Sequence, residues 1–302
     1  MIRNDNQNCR LHTQLWATVG ILLLVLGSAS FSIEANAAQK SAQHANSQIH
    51  WGYEPDNGPG SWGKLNKDWQ LCAEGEQQSP IDLTGARQKN MDMMKLEFPT
   101  ANLKIVRQTH VLHALDNGHT IQINYDSGET LEIGGHSFAL RQYHFHSPSE
   151  HTVNGRRYPM EMHLVHLSQN KKIAVIGVFI EQGRHNEAFD RIWSNLPTQT
   201  GQEVHIENVQ VDIDHILPEN KSTYRYRGSL TTPPCSEGVG WFVYVEPIEL
   251  SREQIEAFQK IFHGNNRPIQ PLNDRTLWYD GIEALKELFR TRARPLAKVQ
   301  PV

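Results

Sequence analysis

The chain has 302 residues, of which 38% are hydrophobic and 21% are charged, a composition typical of a soluble globular protein. The formal net charge of −4 excludes the strongly basic balance that proteins use to bind nucleic acids or anionic membranes. Histidine is unusually frequent at 16 residues, which directs attention to metal binding or proton transfer.

The N-terminus has the pattern of an export signal. Arg3 and Arg10 precede an apolar stretch at residues 16–26, and Ala35-Asn-Ala37 follows it. A basic start, a short apolar core and an Ala-x-Ala site are typical of a secretory signal peptide. We therefore expect residues 1–37 to be removed and the protein to be periplasmic or secreted. An uncleaved membrane anchor is the alternative, but the apolar stretch is shorter than the roughly 20 residues that cross a bilayer.

The cysteines follow from this reading of the N-terminus. Cys9 precedes the apolar core and would be lost with the signal, which leaves Cys72 and Cys235. In an oxidising compartment an isolated pair of cysteines favours a disulfide. Two free buried thiols are the alternative.

The remaining chain reads as a flexible leader at residues 38–48 and a single domain at residues 49–302, without linkers or repeats. Most of the domain alternates apolar and polar residues with a period of two, which predicts strands. The predicted strands lie at residues 103–106, 120–124, 130–133, 138–145, 161–167, 173–180 and 241–245.

Helices are predicted at fewer places. Ser251 and Gln254 form a capping box for a helix over residues 251–262, and Asp280 can cap a helix over residues 282–289. Residues 187–195 are a weaker helical candidate. The predicted fold class is therefore mainly β, with a few peripheral helices.

Histidines recur on two of the predicted strands. Because alternate side chains share a face of a strand, Gln142, His144 and His146 point to one side of the first. Glu161 and His163 share a face of the second. A loop at residues 147–159 could fold the two strands into an antiparallel pair and complete a site of three histidines.

Three neutral imidazoles with an open fourth position are typical of catalytic rather than structural zinc. Glu161 and Gln142 could orient the imidazoles by accepting their N–H groups. The simpler alternative is a set of packed or surface histidines. A second metal alternative is a cupin, because His144-x-His146 followed by Glu150 resembles its first motif; the later glycine-flanked motif is absent.

Several further segments occur along the chain in a fixed order. They are His50-Trp-Gly-Tyr53, Gln78-Ser-Pro-Ile-Asp82, Asp116-Asn-Gly-His119, Ser149-Glu-His-Thr-Val153, Gly228-Ser-Leu-Thr-Thr-Pro-Pro-Cys235, Arg267-Pro-Ile-Gln-Pro-Leu272 and Leu277-Trp-Tyr279. Together with the two histidine strands, they resemble the alpha-class carbonic anhydrases, in particular exported bacterial members. The resemblance covers nearly all of the chain after the signal.

The resemblance implies a large twisted, mainly antiparallel sheet with zinc at the foot of a cleft, held by His144, His146 and His163. The reaction it implies is the reversible hydration of carbon dioxide by attack of zinc hydroxide. Thr231 would accept a hydrogen bond from that hydroxide, Glu150 would accept one from Thr231, and His119 would carry protons to buffer. The implied substrate-binding residues are Val165, Val175, Leu230, Thr232 and Trp241. Cys72 and Cys235 match the disulfide of many secreted members.

Two departures from the family pattern bear on the shape of the cleft rim that the resemblance implies, and not on the chemistry. Ser147-Pro148 replaces Trp-Gly, and Asn266 replaces a tryptophan. The other functions considered are a non-catalytic carbonic-anhydrase-like binding domain, which would be expected to lack a zinc ligand, and a cupin-type metal oxidoreductase. The expected partner is carbon dioxide or bicarbonate, without nucleic acid and without a stable membrane anchor after signal cleavage; a homodimer is an open alternative to a monomer.

Overall fold

A large mixed β-sheet forms the centre of the structure, a computed structural model. Residues 50–88, 112–116, 118–124, 130–133, 136–206, 216–220 and 222–281 are described, and all of them fall in one compact unit, Ile49–Val302. The predicted signal and leader, the predicted strand at residues 103–106 and the predicted helix at residues 282–289 lie outside the described residues.

Twelve strands form this sheet in the described part of the chain. They are β1 (Arg87–Gln88), β2 (Leu112–Asp116), β3 (Ile121–Asn124), β4 (Thr130–Ile133), β5 (His136–His146), β6 (Met160–Ser168), β7 (Ile173–Gln182), β8 (Glu203–Ile206), β9 (Thr223–Ser229), β10 (Glu237–Tyr244), β11 (Ile248–Leu250) and β12 (Trp278–Asp280). Their order is β1-β12-β9-β10-β7-β6-β5-β3-β2-β8, while β11 pairs with β7 and β4 with β5. The pairs β1–β12, β7–β10 and β7–β11 are parallel, and the other described pairs are antiparallel. The predicted fold class is confirmed.

Strand β7 lies near the middle of the sheet and is covered on both faces. Its residues Ile176, Val178 and Ile180 belong to one apolar core, whereas Val175 and Phe179 belong to a second core. Alternate side chains of a strand point to opposite faces, so the two cores lie on opposite sides of the sheet. This double burial explains why β7 is an almost continuous apolar segment rather than an alternating one.

The hairpin of β5 and β6 positions the histidines. The two strands pair antiparallel, with His144 directly opposite His163 and His146 opposite Glu161. Within the connecting loop, Asn154 and Gly155 have φ angles of 51° and 75°. Asn and Gly tolerate this left-handed conformation best, and it suits tight turns between strands. The antiparallel pair expected from the sequence is confirmed.

The helices are short. Those in the described part of the chain are α1 (Trp62–Leu65), α2 (Leu71–Glu74), α3 (Asp190–Trp193) and α4 (Arg252–Gln259), with 3-10 turns at Lys67–Trp69 and Glu187–Phe189. The capping box predicted at Ser251 and Gln254 is formed at the start of α4. The predicted helix at residues 187–195 is a 3-10 turn followed by one α-helical turn. Asp280 ends β12, where its carboxylate pairs with Arg225. No helix among the described residues is long and apolar enough to cross a membrane.

A disulfide joins Cys72 of α2 to Cys235, in the loop between β9 and β10. The two Cα atoms are 5.0 Å apart, and 163 residues separate them along the chain. Both cysteines are buried beside Trp62. The disulfide expected from the sequence is therefore confirmed.

Candidate metal centre

Three histidines bring one ring nitrogen each to a common point. His144 is half-buried, whereas His146 and His163 are each 1% exposed. The potential ligand atoms of the three rings lie within 4.8 Å of one another. Antiparallel pairing produces this convergence, because it sets His163 of β6 opposite His144 while His146 shares the face of β5.

A hydrogen-bond acceptor engages the other nitrogen of each ring. His144 Nδ1 lies 2.7 Å from Gln142 Oε1, His146 Nδ1 lies 2.6 Å from the main-chain oxygen of Asn265, and His163 Nε2 lies 2.9 Å from Glu161 Oε1. A neutral imidazole that donates from one nitrogen presents a lone pair at the other. The rings therefore offer Nε2 of His144, Nε2 of His146 and Nδ1 of His163.

Burial keeps His144 and His146 in the ligating form. Desolvation lowers the pKa of His144 and His146, so that both are neutral near pH 7. His146 Nε2 is buried and has no hydrogen-bond partner among the described residues. A buried nitrogen with a lone pair, facing two others, fits a cation that accepts nitrogen ligands. Three neutral histidines are the donor set of a catalytic zinc site.

Glu161 orients the site from behind. Its Oε1 lies 2.7 Å from His151 Nδ1 as well as near His163, and its Oε2 accepts the main-chain N–H groups of Glu150 and His151 at 2.9 Å. Burial alone would raise the pKa of Glu161, but the facing His151 and His163 hold it well below its usual range. His151 Nε2 is 2.6 Å from the Tyr226 hydroxyl. His151 thus has a hydrogen-bond partner at each ring nitrogen. It supports the site of the three histidines rather than forming a second metal site.

Four of the five predicted substrate residues, all but Thr232, belong to one apolar cluster beside His163. Val165, two residues further along β6, lies opposite Val175 of β7, which in turn pairs with Trp241 of β10. The Trp241 ring centroid is 4.8 Å from that of His163. Leu230 packs against the same cluster.

Thr231 and Thr232 lie in the loop between β9 and β10. Thr231 is buried and Thr232 is half-buried. The main-chain N–H of Cys235 donates to the main-chain oxygen of Thr232 at 2.9 Å, and this hydrogen bond closes a turn at the disulfide. The disulfide therefore anchors the loop between β9 and β10 that contains Thr231 and Thr232, called the threonine loop below.

Glu150 is fully buried and directs one carboxylate oxygen at the histidines. Its Oε2 is 3.5 Å from His146 Nε2 and 3.9 Å from His163 Nδ1. Its Oε1 accepts the main-chain N–H of Arg267 at 2.8 Å. Oε2 has no hydrogen-bond partner in the described part of the chain, so it is available to accept one. Acceptance from Thr231 stays a prediction.

His119 lies apart from the three histidines, in an aromatic stack. Its ring is parallel to that of Trp51, with centroids 3.5 Å apart, and the His50 ring lies 5.4 Å away. Burial, and secondarily the neighbouring His50, lowers the pKa of His119 to about 4. This value lies well below the unperturbed imidazole pKa of about 6.5.

Three contributors to the site were not predicted from the sequence. Asn265 supplies a main-chain oxygen to His146, and no side-chain pattern can signal a carbonyl that every residue carries. His151 and Arg267 both lie in recognised segments, but their contacts with Glu161 and Glu150 arise only in the fold. Strand parity could identify neither, since neither residue belongs to a strand.

Comparison with known proteins agrees with this geometry. The family model described as eukaryotic-type carbonic anhydrase matches residues 56–281. The chain belongs to the alpha carbonic anhydrase family. A carbonic anhydrase of Nostoc sp. is 40% identical over 254 residues, which cover 84% of this chain and 94% of that protein. The alpha-carbonic anhydrase of Thermovibrio ammonificans, solved with the inhibitor sulfanilamide, matches with a TM-score of 0.69 and 42% identity, over 76% of this chain and 99% of that one.

Membership in this carbonic anhydrase family has several consequences. The chain is a carbonate dehydratase, a lyase that acts on carbon dioxide and bicarbonate, and its family consists of zinc enzymes. It is not a cupin. The bacterial relatives and the disulfide fit an exported protein. The same fold also occurs in dioscorin, whose structure with ascorbate matches with a TM-score of 0.66 and 30% identity over 77% of this chain and 98% of that one.

Proposed function

We propose that this protein hydrates carbon dioxide reversibly at a zinc ion held by His144, His146 and His163. The convergence of three lone-pair nitrogens, each on a ring whose other nitrogen is engaged, carries the proposal. The buried, unpartnered Nε2 of His146 supports it independently. When bound, zinc supplies hydroxide at neutral pH by lowering the pKa of its water ligand to about 7, an established value for carbonic anhydrases.

Thr231 and Glu150 orient the nucleophile in this proposal. If the Glu150 carboxylate accepts the Thr231 O–H, the Thr231 oxygen can only accept a hydrogen bond from the attacking oxygen. That requirement selects one orientation of the nucleophile before the reaction begins. The open Oε2 of Glu150, which faces the histidines, supports this role.

Carbon dioxide carries no charge and is best held by apolar side chains. Val165, Val175 and Trp241 form a continuous surface on three neighbouring strands, next to His163. We assign substrate binding to this surface, with Leu230 and the half-buried Thr232 on the adjoining loop. Its apolar character also keeps water from competing with the substrate.

His119 is proposed to carry the product proton to buffer. In the stack with Trp51 it is a poor base at pH 7, because its pKa is about 4. The role therefore requires the ring to leave Trp51 for water, where an imidazole pKa returns toward about 6.5.

Zinc content and activity test the proposal together. Elemental analysis should find zinc in the wild type and much less in His163→Ala, and stopped-flow hydration of carbon dioxide should be lost in that variant. The matched control is His136→Ala, because His136 is an exposed histidine at the opposite end of β5 from His144 and His146. Full zinc occupancy in His163→Ala would refute the site. Full zinc in the wild type without hydration would instead favour a binding protein.

We also propose that residues 1–37 are removed during export, which leaves the leader at 38–48 and the domain at 49–302. The basic start, the apolar stretch and the Ala-x-Ala site support cleavage. N-terminal sequencing of the protein recovered from the periplasm should begin at residue 38. An intact N-terminus in the membrane fraction would contradict it.

A further inference from the structure

Arg267 is buried at 1% exposure next to the site, and its side chain takes no part in the proposed reaction. Its Nη1 donates to Gln78 Oε1 and to the main-chain oxygen of Ser79, and its Nη2 donates to the main-chain oxygen of Cys72, each at 2.8 Å. The guanidinium carbon also lies 5.7 Å from the Trp62 ring. The hydrogen bonds of this guanidinium to described residues thus all go to neutral acceptors.

The main chain of Arg267 contacts the catalytic carboxylate. Its N–H donates to Glu150 Oε1 at 2.8 Å, and the other oxygen of Glu150 faces the histidines. Burial lowers the pKa of Arg267 to about 10, and the charge of Glu150 opposes that shift. Arg267 therefore stays protonated at neutral pH and contributes a buried positive charge beside Glu150.

The same guanidinium is tied to the threonine loop. Gln78, which accepts from Arg267, donates from its Nε2 to the main-chain oxygen of Cys235 at 3.1 Å. Cys235 is bonded to Cys72 and closes the turn that contains Thr232. Arg267 thus contacts Glu150 through its main-chain N–H and the loop that holds Thr231 through its side chain and Gln78.

We propose that Arg267 is a positioning residue that holds the Glu150 carboxylate in register with Thr231. The inference rests on the proposed role of Glu150. A planar guanidinium has five donors in a fixed fork, so a lysine cannot satisfy the three acceptors from one place. Loss of the fork releases the main chain at residue 267 and, with it, the hydrogen bond to Glu150 Oε1.

A double-mutant cycle tests whether Arg267 acts through Glu150. The variants are Arg267→Lys, Glu150→Gln and the two combined, each loaded with zinc and measured for kcat/KM in hydration of carbon dioxide. Arg267→Lys should lower kcat/KM by roughly 10–100-fold, because small displacements of a positioned group are costly. In the Glu150→Gln background the same substitution should have almost no effect.

Arg275→Lys is the matched control. Arg275 also donates to main-chain oxygens, those of Leu272, Arg227 and Pro271, and lies over the Tyr226 ring, but it does not contact Glu150. Its replacement should change the midpoint of urea unfolding while changing kcat/KM by less than about twofold.

Amide hydrogen exchange supplies a readout that is independent of activity. The N–H of residue 267 should exchange at least about tenfold faster in Arg267→Lys than in the wild type, with or without zinc, because its hydrogen bond to Glu150 is released. If Arg267→Lys shows no cooperative unfolding transition, Gln78→Leu replaces it in the cycle and in the exchange measurement. Gln78→Leu removes one of the three side-chain and main-chain acceptors and should act in the same direction.

The outcomes separate this inference from the proposed function. An unchanged kcat/KM in Glu150→Gln would remove the proposed role of Glu150 itself. Loss in Glu150→Gln, with the Arg267→Lys effect equally large in both backgrounds, would show a general structural role and overturn the inference. Unchanged exchange at residue 267 would also overturn it. Loss of the Arg267→Lys effect in the Glu150→Gln background, with faster exchange, would support it.

Discussion

Replacement of Cys72 and Cys235 by alanine should measure how much the disulfide stabilises the fold. The bridge closes a segment of 163 residues. In the chain-entropy model such a loop restricts the unfolded chain by about 17 cal/mol/K, which corresponds to about 5 kcal/mol at 25 °C. Native strain and residual structure in the unfolded chain reduce this value, so we expect the free energy of unfolding to fall by about 3–5 kcal/mol.

Urea titration followed by tryptophan fluorescence gives this free energy directly. For a domain of this size each 1 kcal/mol shifts the melting temperature by about 2–4 °C, so the midpoint of thermal unfolding should fall by roughly 6–20 °C. Cys72→Ala alone should be destabilised to a similar extent, because either substitution opens the bridge. Leu71→Ala is the control, since its side chain is 43% exposed beside Cys72. A loss below about 1 kcal/mol in the double variant would refute the loop-closure reasoning.

Three further predictions follow from individual residues. His119→Ala should lower kcat while leaving zinc content and kcat/KM nearly unchanged, and imidazole buffers should restore it; an unaltered kcat in weak buffer would contradict the shuttle. His166 is buried with a pKa of about 4, against about 6.5 when unfolded, so the unfolded chain binds the proton first and stability falls as pH drops from 6.5 to 4. The loss in the free energy of unfolding is about 3 kcal/mol. Urea unfolding followed from pH 6.5 to 4 should show a smaller loss in His166→Leu than in the wild type. The same pH dependence in both proteins would contradict the prediction. In Gly177→Ala the new Cβ would lie 3.1 Å from Glu161 Oε1, so zinc affinity in a chelator competition should fall about tenfold. In Gly240→Ala the atom nearest to the new Cβ would be 3.4 Å away, and zinc affinity should not fall. Equal zinc affinities of the two variants would show that Glu161 tolerates the methyl group.

Strand parity alone predicted much of the candidate metal centre. Because alternate residues share a face, His144 and His146 had to lie together, and Gln142 and Glu161 had to lie beside the candidate ligands. The structure brings these groups into the expected hydrogen bonds. The pairing of His144 with His163 needed one further condition, an antiparallel register, which the connecting loop provides.

Other features could not be predicted from local patterns. Strand β9 contains the segment Thr223-Tyr-Arg-Tyr-Arg-Gly-Ser229, without an aliphatic residue, and was missed although its tyrosines and arginines alternate. Burial, and secondarily the charge of His50, lowers the pKa of His119, and the neighbouring His50 and Trp51 lie far from it in sequence. Such contacts arise from tertiary packing, which periodicity does not encode.

The confinement of all three histidines to the β5–β6 hairpin bears on the order of events during folding. A hairpin closes a short loop, which costs little chain entropy and favours early formation. The contact between Glu150 and Arg267 spans 117 residues, and the disulfide beside the threonine loop spans 163. We therefore expect the three histidines, with Glu150 in the loop between their strands, to come together before Arg267 and the threonine loop pack against that carboxylate. Zinc bound as proposed would then stabilise the hairpin first, and a metal-loaded but inactive chain should precede the active protein.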